Sequence, residues 1–234
     1  MYFVFMPKVY SLRNLPPCPD PELYILVKTR RGYYWRRKRG TVKDAPLNEP
    51  FQQQSDNSKV LGPAVKKLRM KLAPYLAGVR TGYLQTNWTN SLRASLRPGT
   101  AFSYLPLRGY DFQRDHPWLT VMSGYNLETQ KNFFRVRIPV GGGLIRPQNN
   151  LVTEYYFELV LLYGNVVAGD ALRIDEDVSP LYAYEDEPRG ECVLEVSLPT
   201  KKKPWMLMLK LNALEGDVPA VNPRHYAMMV IGTG

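Results

Sequence analysis

The 234-residue sequence predicts a mainly β protein, an antiparallel β-sandwich preceded by a basic β-hairpin and one or two amphipathic helices. Three observations lead there. Twenty prolines, seventeen glycines and sixteen tyrosines favour strands joined by turns over long helices. Beyond Gly99, short β-prone segments alternate with turn signals every ten or so residues, roughly the spacing of a sandwich. Only within residues 52–96 does the pattern turn helical, with apolar residues recurring at three and four over 52–79. Two regions follow: a basic N-terminal region, 1–100, and a sandwich domain, 101–234.

Taken in order, Tyr2, Phe3, Val4, Phe5 and Met6 form an apolar β-prone run that Pro7 restricts to an edge or terminal strand. Such a strand is either outermost in its own sheet or added to another subunit's sheet. Residues 15–21 hold four prolines and form a stiff, polyproline-like spacer. Strands near 23–29 and 33–39 then flank Arg30-Arg31-Gly32, where Gly32 can take the positive φ of a tight turn. Residues 43–50 read as loop.

In the helical segment, Leu61, Val65, Leu68, Leu72, Tyr75, Leu76 and Val79 share one face, and Lys59, Lys66, Lys67 and Lys71 lie mostly elsewhere. Pro63 suits the first turn of that helix, Pro74 its kink or end, and Gly78 a C-cap. A shorter helix is expected over 86–96, stopped by Arg97-Pro98-Gly99. Candidate strands follow at 101–105, 118–123, 132–140, 152–163, 170–175, 180–185, 191–198, 204–212 and 225–232. Residues 155–163 are almost continuously apolar and belong in the middle of a sheet.

Charge divides the chain unevenly. Residues 1–100 hold 18 Lys/Arg against 5 Asp/Glu, and residues 101–234 hold 13 against 16. The basic excess peaks at Arg30, Arg31, Arg36, Arg37, Lys38 and Arg39, interleaved with Tyr33, Tyr34 and Trp35. Cations neutralise phosphates and flat rings stack on unpaired bases, but basic hairpins also protect sheet edges. Asp175, Glu176 and Asp177, with Glu185, Asp186 and Glu187, bracket a β segment. They are either solvated turns or an acidic surface on which the hairpin of another copy docks.

Catalytic motifs are missing. His116 and His225 stand alone, and Gly141-Gly142-Gly143 lacks the Gly-Lys-Ser/Thr of a phosphate loop. Cys18 and Cys192 give neither a disulfide framework nor a metal spacing. Neither enzyme activity nor a cofactor is therefore expected. No apolar window is long enough for a membrane span, and Met1 to Met6 is too short for a signal core. The expected setting is cytoplasmic or part of a released assembly.

The order of parts resembles a broad group of uncharacterised Bacteroidetes proteins. It is carried by Gly32-Tyr33-Tyr34-Trp35-Arg36-Arg37, then Asn48-Glu49-Pro50-Phe51-Gln52-Gln53-Gln54, then Leu72-Ala73-Pro74-Tyr75-Leu76, ahead of a β-rich half. The resemblance implies that the sandwich is immunoglobulin-like and carries over no catalytic residue or cofactor. The leading expectation is a non-catalytic structural subunit that assembles with copies of itself into a filament, tube or shell. Residues 2–10 would cover a neighbour's sheet and the hairpin would meet an acidic surface. The alternative is a nucleic-acid-binding module using the hairpin.

Overall fold

A strand that is apolar on both faces needs a cover on each, and residues 154–163 have two. The structure is a computed structural model. It describes residues 12–30, 32–38, 49–79, 82–96, 99–113, 117–118, 124–140, 151–185, 190–199 and 202–234. The strand expected at 2–6, most of that at 118–123, His116 and the triple glycine lie outside these residues.

In chain order the elements are β1 (Tyr24–Thr29), β2 (Gly32–Arg37), α1 (Glu49–Lys71), α2 (Leu84–Leu92), β3 (Asn126–Thr129), β4 (Phe133–Val140), β5 (Glu154–Tyr163), β6 (Arg173–Val178), β7 (Tyr182–Ala183), β8 (Gly190–Ser197), β9 (Trp205–Glu215), β10 (Val218–Pro219) and β11 (Ala227–Thr233). Short 3-10 turns lie at Leu12–Asn14, Arg93–Leu96, Leu105–Leu107 and Pro223–His225. The fold is mainly β, with antiparallel sheets, two helices and the N-terminal hairpin. The chain forms two compact units, residues 1–53 and 54–234.

In the larger unit, β5 pairs with β9 over its whole length and with β6 and β7 on its other side, while β11 and β10 extend the sheet beyond β9. A second sheet runs β3-β4-β8. Alternation along the strands sends the two faces of the larger sheet to different covers. Tyr155, Phe157, Leu159 and Leu161 of β5, with Leu207, Leu209 and Leu211 of β9, share a core with Phe134, Val136, Ile138, Leu194 and Val196 of the smaller sheet. Val160, Leu162, Met206, Met208, Met228 and Val230 share the other core with Leu61, Val65, Leu68, Leu72, Trp88 and Leu92 of the helical layer. Residues 54–100, grouped by sequence with the basic region, thus pack into the same core as the sheet.

The expected helical face is buried or half-buried throughout, from Leu61 to Val79. Pro63 departs from expectation, because it sits inside α1 rather than in its first turn. Burial explains the tolerance. The helix is largely exposed up to Val60, and the carbonyl that Pro63 leaves without an N–H belongs to exposed Lys59. Pro63 begins the packed half of the helix, not the helix.

Two strand expectations also change. Residues 101–105 are not a strand: Phe102 and Tyr104 pack irregularly into the helix-side core, and Tyr104 Oη donates to the Gly164 carbonyl at 2.9 Å. The neighbour of β11 is instead 109–112, where Gly109 and Phe112 N–H donate to Val230 and Met228 and Val230 N–H donates to Tyr110. The strand expected at 170–175 begins at Arg173, since Asn165 and Asp170 first close a loop. Asn165 Oδ1 accepts from Val167 and Ala168 N–H, and Asp170 Oδ2 accepts from Asn165 N–H.

Candidate interaction surfaces

In the small unit, Asp20 starts the hairpin. Its side chain accepts from Glu22 N–H at 2.8 Å and its carbonyl from Tyr24 N–H at 2.9 Å. β1 and β2 then pair in the register Tyr24↔Arg37, Ile25↔Arg36, Leu26↔Trp35, Val27↔Tyr34, Lys28↔Tyr33 and Thr29↔Gly32. Gly32 carries φ 120°, a conformation that a Cβ would strain. Cross-strand partners share a face. One face therefore carries Tyr24, Leu26, Lys28, Tyr33, Trp35 and Arg37, and the other Ile25, Val27, Thr29, Tyr34 and Arg36. The proline spacer is tied to the first face, where Trp35 Nε1–H donates to the Pro16 carbonyl at 2.7 Å.

Among the described residues of this unit only Gly32 is buried. Lys28, Arg30, Arg36 and Arg37 are exposed, and none of them forms an ion pair among the described residues. Lys38 is half-buried, and Arg31 and Arg39 lie outside the described residues.

Most described carboxylates of the larger unit are engaged locally. Asp175 and Asp177 of β6 reach across to the edge of β8, where their Oδ2 atoms accept from Ser197 N–H at 2.7 Å and Glu195 N–H at 2.8 Å. Two of the outward N–H groups that another chain would use to extend the smaller sheet at this edge, those of Glu195 and Ser197, are thereby occupied. Glu176 takes a hydrogen bond from the Tyr75 phenol, whose pKa is raised by burial first and by that carboxylate second. On the outer face of the smaller sheet, Arg135 meets Glu195 at 2.6 Å, and Arg137 meets Glu128 at 3.1 Å and Glu191 at 3.5 Å. Lys203 bonds Asp170 at 2.9 Å and, with the Asn165 N–H, holds that carboxyl below its ordinary range. Glu185 is exposed, and Asp186 and Glu187 lie outside the described residues.

One charged pair is not foreseeable from local pattern. Lys210 of β9 and Glu158 of β5 are register partners on the helix-side face, with 4% and 15% of their side chains exposed and Nζ to Oε2 at 3.7 Å. Asn212 Nδ2 donates to the same carboxylate at 3.3 Å, and the ring of Tyr226 lies 6.0 Å from Nζ. Burial pushes the Lys210 amine below its ordinary pKa, and Glu158 opposes that shift. The signal was present as one lysine and one glutamate inside apolar strands, but only the register joins them.

Cys18 and Cys192 are free thiols, and burial raises the pKa of Cys192. Phe102, Leu198, Pro199, Lys202, Pro204 and Trp205 border an open cleft of about 550 Å³. No group of three or more His, Cys, Asp or Glu among the described residues could hold a metal ion. No helix among them is long and apolar enough to cross a membrane. Set against protein-family models, curated proteins and solved structures, the chain matches none.

Proposed function

We propose that this is a non-catalytic binding protein that takes a polyanion, nucleic acid foremost, on the β1–β2 hairpin. One observation carries the reading: Lys28, Arg30, Arg36 and Arg37 are exposed and outside any ion pair among the described residues, while six carboxylates of residues 54–234 outside the β6 edge are already in one. A cluster of unneutralised cations attracts a polymer of phosphates and releases its counterions. A two-stranded sheet with so little buried surface is marginal alone, so a bound partner would also stabilise it.

The test is fluorescence anisotropy of a labelled oligonucleotide across a salt series. The logarithm of affinity should fall linearly with the logarithm of salt. The Arg36→Ala/Arg37→Ala variant should lower the steepness by about 1.4 on a single strand and about 1.8 on a duplex, two contacts' worth. An unchanged slope in that variant would remove the hairpin from the interaction.

Self-assembly is the second reading. It is supported by the outer edge of β3, which has no strand partner among the described residues and could receive residues 2–6 of another copy. Exposed Glu176 and Glu185 would supply the acidic side of the hairpin contact. Deleting residues 1–15 should then shrink the particle seen by light scattering; an unchanged size would sink strand exchange. The immunoglobulin-like character of the two facing sheets and the kinship with the Bacteroidetes group belong to the same proposal. Antiparallel pairing and the shared core of β4, β5, β8 and β9 support the first.

A further inference from the structure

Resting on the polyanion reading, we infer that the ligand is a single-stranded nucleic acid whose bases stack on one named face of the hairpin. The register sorts the aromatic side chains unevenly. Tyr24, Tyr33 and Trp35 fall on one face, in the cross-strand pairs Tyr24–Arg37, Leu26–Trp35 and Lys28–Tyr33, and Tyr34 is the lone ring on the other. Each tyrosine of the first face stands opposite a cation, and the tryptophan between them stands opposite a leucine.

That order suits an unpaired strand. Tyr33 and Trp35 are two residues apart on β2, so their Cβ atoms stand about 7 Å apart along the strand. Bases of a stretched single strand can therefore meet successive rings, while Arg37 and Lys28, at the two ends of the ladder, reach the flanking phosphates. Base stacking on aromatic rings tolerates any sequence, because every base has a π-face. Duplex DNA hides its bases and would use the cations alone. So would heparin, which has no bases.

Trp35 is fixed for this role, since its indole N–H is held by the Pro16 carbonyl. Leu26, opposite Trp35, is 42% exposed, and Tyr24, Tyr33 and Trp35 are half-buried, so each keeps part of its surface for a base. Arg36 on the opposite face adds charge without a ring partner, because it pairs with Ile25.

The experiment compares three probes on the full chain at one salt concentration: a thymine oligonucleotide, a duplex of the same length, and heparin. Trp88 and Trp118 are fully buried, so a Trp205→Phe background leaves Trp35 as the responsive tryptophan. The oligonucleotide should quench its fluorescence and heparin should not. Tyr33→Leu should weaken oligonucleotide binding about 5- to 150-fold, the equivalent of one lost stack, and leave heparin affinity unchanged. Trp35→Phe, which keeps a ring, should bind more tightly than Trp35→Leu.

Equal losses for oligonucleotide and heparin in Tyr33→Leu, or tighter binding to the duplex than to the single strand, would overturn the inference while leaving the polyanion reading intact. Failure of all three probes to bind would remove the polyanion reading itself.

Discussion

The Lys210–Glu158 pair offers a sharp test of the core on the helix side of the larger sheet. With 4% and 15% of the side chains exposed and 3.7 Å between the charges, each group depends on the other for its neutralisation. Lys210→Met would strand a carboxylate that keeps the Asn212 hydrogen bond and some water, so the loss should lie near the low end for a broken buried pair, about 3 kcal/mol. Glu158→Gln would leave the more deeply buried ammonium without a counter-charge, for about 4 kcal/mol. Independent effects would sum to about 7 kcal/mol. The double variant should instead lose less than about 2 kcal/mol, because neither charge remains and the amide oxygen that Glu158→Gln introduces can still accept from Asn212. Urea unfolding followed by the buried Trp88 and Trp118 reads all four proteins. Losses that add to within about 0.5 kcal/mol would refute the coupling.

The same pair has a signature in pH. The Lys210 amine titrates below its unfolded value, so its burial costs stability while it is charged in both states. That cost should be relieved as pH rises through the folded pKa towards the ordinary lysine value of about 10.4. The double variant should lose this alkaline gain relative to the wild type.

Further outcomes follow from individual contacts. Asp170 is held below the ordinary carboxylate range by Lys203; its contribution is present above the unfolded pKa of about 3.9 and is lost as pH falls through the lower folded value. Asp170→Asn should therefore flatten the acid limb of a stability-versus-pH curve below about pH 4, and an unchanged limb would count against the Lys203 contact. Gly78→Ala should cost more than about 2 kcal/mol by thermal or urea unfolding. Its φ is +77° and an added Cβ would meet the Tyr226 ring at 2.5 Å, so strain and overpacking act together. Trp88→Ala should remove about 3–5 kcal/mol, since the indole is fully buried and meets Tyr110 and Phe112 edge-on. Asp175→Ala/Asp177→Ala should cost about 3 kcal/mol, two charged hydrogen bonds at the lower figure, and raise concentration-dependent association in light scattering by freeing two N–H groups of β8.

Local chemistry was legible in the sequence, and contacts between distant segments were not. The hairpin and its Gly32 turn, the buried row from Leu61 to Val79 and the central place of residues 155–163 all follow from patterns a few residues long, whereas Gly78, expected as a C-cap, takes its positive φ seven residues after α1 ends at Lys71. The β3 strand is hidden in the sequence because Asn126-Leu127-Glu128-Thr129 is short and weakly apolar, and β4 gives it a partner. Pro63 misleads because its position in a helix depends on whether the carbonyl it abandons reaches water. Most of all, the sequence could not say that Asp175 and Asp177 would meet β8, which belongs to the other sheet.

That last contact decides how the charge asymmetry should be understood. By sequence, the acidic half looks made to receive the basic hairpin of a second copy. In the structure, drawing Asp175 and Asp177 towards an arginine would pull them from backbone N–H groups. Hydrogen bonds to charged groups are worth about 1.5–3 kcal/mol each, towards the lower figure at so exposed a site. An exposed ion pair returns only about 0–1 kcal/mol. The exchange therefore loses unless apolar surface is buried with it. A phosphate polymer meets Arg36 and Arg37 without breaking any contact among the described residues, and it gains the release of its own counterions. The two partners differ less in attraction than in what must be given up to meet them, and that difference is why the polyanion is the partner proposed first.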